Sequence, residues 1–568
     1  MSGQCGTSVQ LLFKNMVDFE CYAESVVDYT AKYNHNMTIS YGPENLTGKP
    51  VKYPDYGDCV DTYMLRKYGK WWVESENSQK HYMTQDVEEV PCQDYITLRF
   101  EAAVIPTAVI IYETFNPGAV VRIWARHTGE SWLILWEGKP QICPQTSRNF
   151  SPPIRQISNL INEIRLDLNH TLLDYQTALD AVLLAGKQPT SELQRKLLSS
   201  RLLTVQMNKS DTESRNCDIN RQNNIFTILP YDVIVHIFRY LDLKTLCRCA
   251  QVSKLWLSAT LDPRIYCHLS LKRYWHKIDN RLLEMFMERC RTLKKLDLSW
   301  CGDDNRISEE TFAEFLKSSC RYLTHLSLCH SKFVTGSCVS NISQYCKDLV
   351  EIRLQDCNLG EKSSHFRNLA ALNKLRTLDL YSSSVRDDDL IYILSNTPYL
   401  QHINIDMCNN LRRLDNITEV VSQYNRNLVT WSSWKIERMT AVGVRNLAKC
   451  SRLRELDLGW CFISSDPEDC LEHIAQGCKD LRRLILSRWR GVCDHLLLPI
   501  IRSCKQLIQL DLLGVHISGD ICDIALVSLP KLQILDISFC DAVKSEQVAL
   551  FKEYYPHVGI YHRMEFGA

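Results

Sequence analysis

Nowhere in the 568 residues do eighteen apolar residues follow one another, so no segment reads as a membrane-spanning helix. The opening stretch carries Asp18, Glu20, Glu24 and Asp28. It lacks both the basic, apolar and small-residue order of a secretory signal and the Arg-rich, acid-poor composition of a mitochondrial presequence, and no cleavable leader is expected. Charge of one sign is missing too: 66 Lys and Arg balance 66 Asp and Glu, which leaves no global field to draw the chain to nucleic acid or an acidic membrane. No two of the 21 glycines stand two apart, and no Gly-Lys pair is followed by Ser or Thr at P-loop spacing, which excludes the familiar nucleotide cradles. G-x-S-x-G and H-E-x-x-H are absent, so no catalytic residue and no cofactor is assigned. The 25 cysteines contain no C-x-x-C pair, which argues against a zinc ribbon or RING finger, and no metal ligand is assigned. Such a chain reads as cytoplasmic, where thiols behave as small apolar side chains.

The length fits two or three domains. Residues 1–50 are polar and read as a loose arm with one short helix near Met16 to Tyr33. Alternation then sets in at Ile96, Leu98, Phe100; Val109, Ile111; Val121, Ile123, Ala125; Leu133, Leu135; and Ile164, Leu166, Leu168. With Asn116-Pro117-Gly118 as a turn and Leu179 to Leu184 as a last strand, residues 51–187 are expected to form an all-β sandwich. The spacing and the stretch FNPGAVVRIWA resemble the galactose-binding, discoidin-type jelly roll. That resemblance implies ligand-binding loops at one end, with Trp71, Trp72, Tyr112 and Arg122 as candidate lining; core packing is the plainer role for such aromatics. Residues 188–224 read as a polar linker.

Residues 225–265 change character. Pro230 can occupy a first helical turn, where its missing N–H costs nothing, Asp232 suits the positive helix N-terminus, and Ile234, Ile237, Phe238 and Leu241 share one face. Asp242 can cap a second helix carrying Leu243 and Leu246, and Ser253 a third carrying Trp256, before Pro263 stops the run. Three short helices cannot enclose a core of their own, so the unit must lean on its C-terminal neighbour and offer apolar surface to a partner. Leu229-Pro230, Asp232, Ile237-Phe238-x-x-Leu241 and Gln251-Val252-Ser253-Lys254-x-Trp256 resemble an F-box, the module that docks on a Skp-type adaptor. The resemblance implies adaptor-binding roles for Leu229, Pro230, Asp232, Val233, Ile234, Ile237, Leu246 and Trp256.

From residue 266 to 562, ahead of a short tail at 563–568, an L-x-x-L-x-L phrase recurs. It starts at Leu293, Leu323, Leu349, Leu375, Leu400, Leu428, Leu453, Leu481, Leu507 and Leu532, with an earlier copy at Tyr266 and a later one at His557. Cys301, Cys357, Cys408, Cys461 and Cys540 lie eight residues after the first leucine, and Cys290, Cys320, Cys346, Cys450, Cys478 and Cys504 three before it, the pattern of thiols packed inside each turn. The phrase resembles the cysteine-containing class of leucine-rich repeats, which implies an α/β solenoid of about twelve coils. The residues between the leucines point out of the core and line the concave side. Candidate substrate contacts there are Asp379, Tyr381, Trp434, Asp457, Trp460, Arg488, Trp489 and Asp511, a charged and aromatic stripe. The competing reading is that each Asp bonds to strand or loop groups and each Trp covers an edge of the stack.

Taken together, a jelly-roll-like sandwich, a small all-α F-box and a repeat solenoid resemble the F-box and leucine-rich-repeat family. The resemblance implies a non-catalytic substrate-recognition subunit of a Skp–cullin–F-box ubiquitin ligase, reaching cullin and RING subunits through the adaptor and presenting a protein substrate for degradation. A family member is tied to turnover of mitophagy receptors, which adds the cytosolic face of the mitochondrial outer membrane, by peripheral association, as an alternative location; the nucleus is a further one. No nucleic-acid partner is expected. Two other roles compete: an interaction scaffold outside any ligase, and carbohydrate or lipid binding by the sandwich.

Overall fold

A computed structural model of the chain describes residues 16–30, 41–57, 59–65, 90–173, 177–189, 229–357, 359, 363–436, 439–461, 469–489 and 491–562. Trp71, Trp72, most of the expected linker and the tail at 563–568 lie outside the described residues. Two compact units divide the described chain, one ending at Leu229 and one beginning at Pro230.

The first unit is an antiparallel β-sandwich of β1 (Met16–Tyr29), β2 (Tyr63–Leu65), β3 (Asp94–Phe115), β4 (Val120–Arg126), β5 (Leu133–Glu137), β6 (Arg148–Phe150), β7 (Ile161–Leu168) and β8 (Thr177–Pro189). The helix expected near Met16 is in fact β1. Residues up to Tyr22 pair with β8, and those from Ala23 pair with β3. Two register shifts, between Ala23 and Ser25 and between Val26 and Asp28, break the alternation and hide the strand from a period-two reading. The separate strands expected around Ile96 and Val109 are likewise one strand. β3 pairs with β7 over Asp94–Arg99 and with β8 over Ile105–Phe115, passing from one sheet to the other at a bulge. Ile96, Leu98, Phe100, Ile123, Ile164, Leu166, Val182 and Leu184 fill the core.

The two described candidates for a sandwich ligand site are spent on structure. Arg122 is buried, with Nε donating to Glu137 at 2.6 Å and Nη2 to the Val90 carbonyl at 2.7 Å. Tyr112 is buried between Tyr22 and Tyr53, with ring centres 6.4 and 5.1 Å away, and burial followed by the Tyr22 hydroxyl pushes its phenol up to about 12.

In the second unit three short helices precede a parallel sheet. They are α1 (Tyr231–Phe238), α2 (Leu243–Cys249) and α3 (Lys254–Thr260). The sheet has twelve three-residue strands in strict chain order, from His268–Ser270 to Gly559–Tyr561, each paired in the same register with its neighbours. Helices from α4 (Asn280–Arg289) onward return the chain between strands. At each strand centre one apolar residue is sealed inside, among them Leu269, Leu326, Leu378, Trp431, Leu484 and Leu535. A coil can bury these side chains only by stacking on the next. Polar bonds stitch the stack as well. Asp415 accepts from both the N–H and the hydroxyl of Thr440, at 2.9 and 2.7 Å, and Asp494 does the same for Ser518 at 2.9 and 2.6 Å. One helix start thereby holds the next.

The periodic cysteines find their use here. The Sγ of Cys357, Cys408 and Cys461 each lies 3.0 Å from a carbonyl of the preceding coil, belonging to Leu328, Leu380 and Ser433. Where Ser331 replaces the cysteine, its hydroxyl donates to the Leu298 carbonyl at 2.8 Å, so a short donor is what the position needs. Burial pushes the thiols of Cys408, Cys461 and Cys540 up to about 12, which keeps them protonated and unreactive.

Candidate functional site

Two surfaces of the second unit carry the residues singled out by sequence. The first is the three-helix unit. Asp242 accepts from the Thr245 N–H at 2.6 Å and Ser253 from that of Trp256 at 3.2 Å, so both expected caps form. Pro230 sits just before α1, at its N-cap. Ile234, Val235 and Phe238 turn inward with Leu246 and Ala259, and Phe238 meets Trp256 edge to face at 5.2 Å. Ile237, expected on the face of Ile234 and Phe238, instead stands out with Val233 on the opposite face of α1, at 39% and 40% exposure, and Tyr240 in the turn just after the helix is 64% exposed. Leu255, Leu257 and Leu261 are also exposed along and just after α3.

Of the eight adaptor candidates, Pro230, Asp232, Val233 and Ile237 are exposed, and Leu229 and Trp256 are half-buried. Ile234 and Leu246 are buried inside the unit. Their part in docking is therefore to hold the helices together, not to touch a partner. Asp232 is bonded to Arg264 at 2.8 Å. Tyr240, Leu255, Leu257 and Leu261 were missed. The spacing of Val233, Ile237 and Tyr240, at i, i+4 and i+7, marks a second apolar stripe that a one-faced reading of α1 passes over.

No spacer separates this unit from the repeats. Asp262 starts a single 3-10 turn, Pro263–Tyr266, and the first strand opens at His268. The Tyr266 hydroxyl donates back to the Thr260 carbonyl at 2.7 Å while its ring stacks edge-on against Phe286 of α4 at 5.9 Å. Thr292 donates to the Pro263 carbonyl at 2.9 Å, and Arg264 clamps Asp232 and Asp262 at 2.8 and 2.9 Å. The helices thus close the open end of the first coil.

The second surface is the solenoid edge. Each Asp expected to meet substrate instead accepts the backbone N–H two residues on: Asp379 that of Tyr381 at 3.2 Å, Asp457 that of Gly459 at 2.9 Å, and Asp511 that of Leu513 at 3.1 Å. Asn404 does the same for Asp406 at 3.0 Å. These side chains end strands, because the N–H that leaves the ladder needs an acceptor. Tyr381, Trp434 and Trp489 are buried, and with Asp379 and Asp457 they make no free binding surface. Trp460, Arg488 and Asp511 remain half-buried.

Burial pushes the Asp379 carboxyl up to about 6, against the pull of Arg353, Gln355 and the Tyr381 N–H. A folded-state pKa above the unfolded one contributes stability below about pH 4 that is lost as pH rises through 6. Asp379→Asn keeps the strand-end bond, as Asn404 shows. Its melting temperature is expected to exceed that of the wild type at pH 7.5 by clearly more than at pH 4.5, where the two converge. An equal difference at both pH values would refute the assignment.

Just past ten of the twelve strands, the backbone turns through the left-handed region. Trp300, His330, Asp356, Ser382, Met407, Lys435, Trp460, Arg488, Gly514 and Phe539 all have φ between 51° and 70°. Each stands seven residues after the first leucine of its coil. Nine of their N–H groups, from Trp300 to Gly514, donate to a carbonyl of the following coil at 2.6–3.0 Å, a second ladder beside the sheet.

The F-box-like family matches residues 226–272, and the Leucine Rich repeat family matches residues 289–302. Bos taurus F-box/LRR-repeat protein 4 is 33% identical over 515 residues, spanning 86% of this chain and 82% of its own. The chain belongs to the F-box/LRR-repeat protein 4 family. A solved structure, the crystal structure of the Rad7 and Elc1 complex in yeast, aligns over 66% of this chain and 92% of its own at 16% identity and a TM-score of 0.37. In this member of the F-box/LRR-repeat protein 4 family the F-box is α1 to α3, and the repeats are the twelve-stranded stack. No described residues form a metal-binding cluster, and no described helix is long and apolar enough to cross a membrane.

Proposed function

We propose that this chain is the non-catalytic substrate receptor of a Skp–cullin–F-box ubiquitin ligase. The F-box docks a Skp-type adaptor, which brings the cullin and RING subunits, and the repeats hold a protein substrate. The observation that carries this reading is the outward stripe Val233, Ile237 and Tyr240, on a helix and the turn that follows it, the helix's other face being already used inside the unit. A contiguous apolar stripe on a capped unit fits a helix-binding partner. The repeats would act by holding the substrate's lysine at high effective concentration beside a ubiquitin thioester, with no side chain of this chain in the chemistry. Affinity purification from cells is expected to recover the adaptor and a cullin, and Leu229→Asp with Pro230→Ala to lose both. Recovery of adaptor without cullin would replace the ligase with a scaffold. Family membership also motivates a location on the cytosolic face of the mitochondrial outer membrane and mitophagy receptors as substrates. In that case such receptors accumulate in cells carrying the F-box variant.

A further inference from the structure

The left-handed column gives ten coils the same turn, so the turn itself does not dictate which side chain it carries. Glycine or asparagine would be least strained there, yet the ten positions include one glycine and no asparagine. Over its last five coils the column reads Lys435, Trp460, Arg488, Gly514, Phe539, and its cations lie on its rings. Lys435 Nζ is 5.1 Å from the centre of the Trp460 ring. The Arg488 guanidinium carbon is 5.4 Å from that ring and 5.8 Å from Phe539, two coils away. Gly514 makes this reach possible. A Cβ there would come within 2.7 Å of Arg488 Cδ and 2.9 Å of its Nε, so the arginine runs through the gap that the glycine leaves.

The acids of these coils are engaged elsewhere. Asp511 holds the Leu513 N–H and the Ser487 hydroxyl, and Asp536 the Ser538 N–H. The Arg488 side chain makes no hydrogen bond or ion pair with any described residue, and its Nε is shut away from solvent with no acceptor. A guanidinium steadied by two aromatic rings, with its planar fork unused, matches a carboxylate.

We propose that Trp460, Arg488 and Phe539, flanked by Lys435, seat an acidic segment of the protein substrate. One carboxylate of that segment takes the Arg488 fork, and an apolar neighbour lies on the rings. The proposal rests on the receptor reading for what delivers the segment, but its own test does not need the adaptor. A long phosphate polyanion would need many cations in a row. A short acidic peptide needs one well-placed fork.

The test uses the full-length chain and a fluorescent ten-residue Glu-rich peptide with a central Phe, read by anisotropy, beside the same peptide with every Glu replaced by Gln. The Glu peptide is expected to bind and the Gln peptide not to. Arg488→Gln should weaken binding at least tenfold, and Arg488→Lys, which keeps charge without the fork, should fall between the two. Thermal melts of both variants should match the wild type; if Arg488→Gln melts early, Arg488→Lys alone decides. Equal affinity of wild type and both variants overturns the proposal, as does equal binding of the two peptides. Arg488-dependent displacement of the peptide by an oligonucleotide, but not by free glutamate polymer, would overturn it in favour of phosphate. Adaptor capture measured on the same proteins keeps the two readings apart. Arg488-dependent peptide binding in a chain that captures no adaptor leaves this seat standing and removes the ligase.

Discussion

Replacing Val233 and Ile237 together by Asp is expected to weaken binding of a purified Skp-type adaptor at least a hundredfold while leaving the thermal midpoint nearly unchanged. Both side chains stand about two-fifths exposed on the outer face of α1, and neither belongs to the buried set of Ile234, Val235 and Phe238. The fold therefore loses little, in line with surface substitutions that change stability by about 0.5 kcal/mol. A docked partner would instead have to cover two charged carboxylates without pairing them, at about 2–3 kcal/mol or more for each, because a charge costs more than a neutral polar group. Two such groups give a factor of about one hundred or more. Ile234→Asp is the contrasting control, because it buries its charge inside the unit and should unfold the three helices. Calorimetry with the double variant decides the matter: wild-type affinity would mean that adaptors meet some other face.

The largest loss of stability is expected from Trp431→Ala. Trp431 is fully buried at a strand centre where every other strand of the stack carries Leu or Ile, between Ile403 and Leu456, and its Nε1 donates to the Ser433 hydroxyl at 3.0 Å. Truncation leaves a large void that neighbouring strands cannot close without breaking register, at about 3–5 kcal/mol. In a stack held by nearest neighbours this weakens one boundary and not the whole, so urea unfolding should split into two transitions. Trp431→Leu restores the usual strand residue, should cost less, and should recover a single transition. One cooperative transition at the wild-type midpoint in the alanine variant would show that the coils are not coupled in this way.

The repeat was legible because a solenoid writes its period into every coil. Leucines, cysteines and strand-end Asp residues recur at fixed offsets, and the twelve strands appear where those offsets put them. The three helices were legible from their caps and apolar spacing. Orientation was less so. Ile234 and Leu246 carry the same apolar signal as Val233 and Ile237, and only packing against α3 decides which pair turns inward. For the acids on the inner strand positions both readings were open in the sequence, and the bond each makes to the backbone N–H two residues on decides for the structural one. In the sandwich, β1 was lost to its bulges, since alternation is the only strand signal and each bulge reverses it.

Each thiol that reaches across to the carbonyl of the coil before it is also a dormant reporter. Sealed and protonated, it can meet an alkylating reagent only when its own seam parts. The order in which Cys301, Cys357, Cys408, Cys461 and Cys540 become labelled would therefore read out where the stack frays first, with the protein supplying its own clock at five stations along its length.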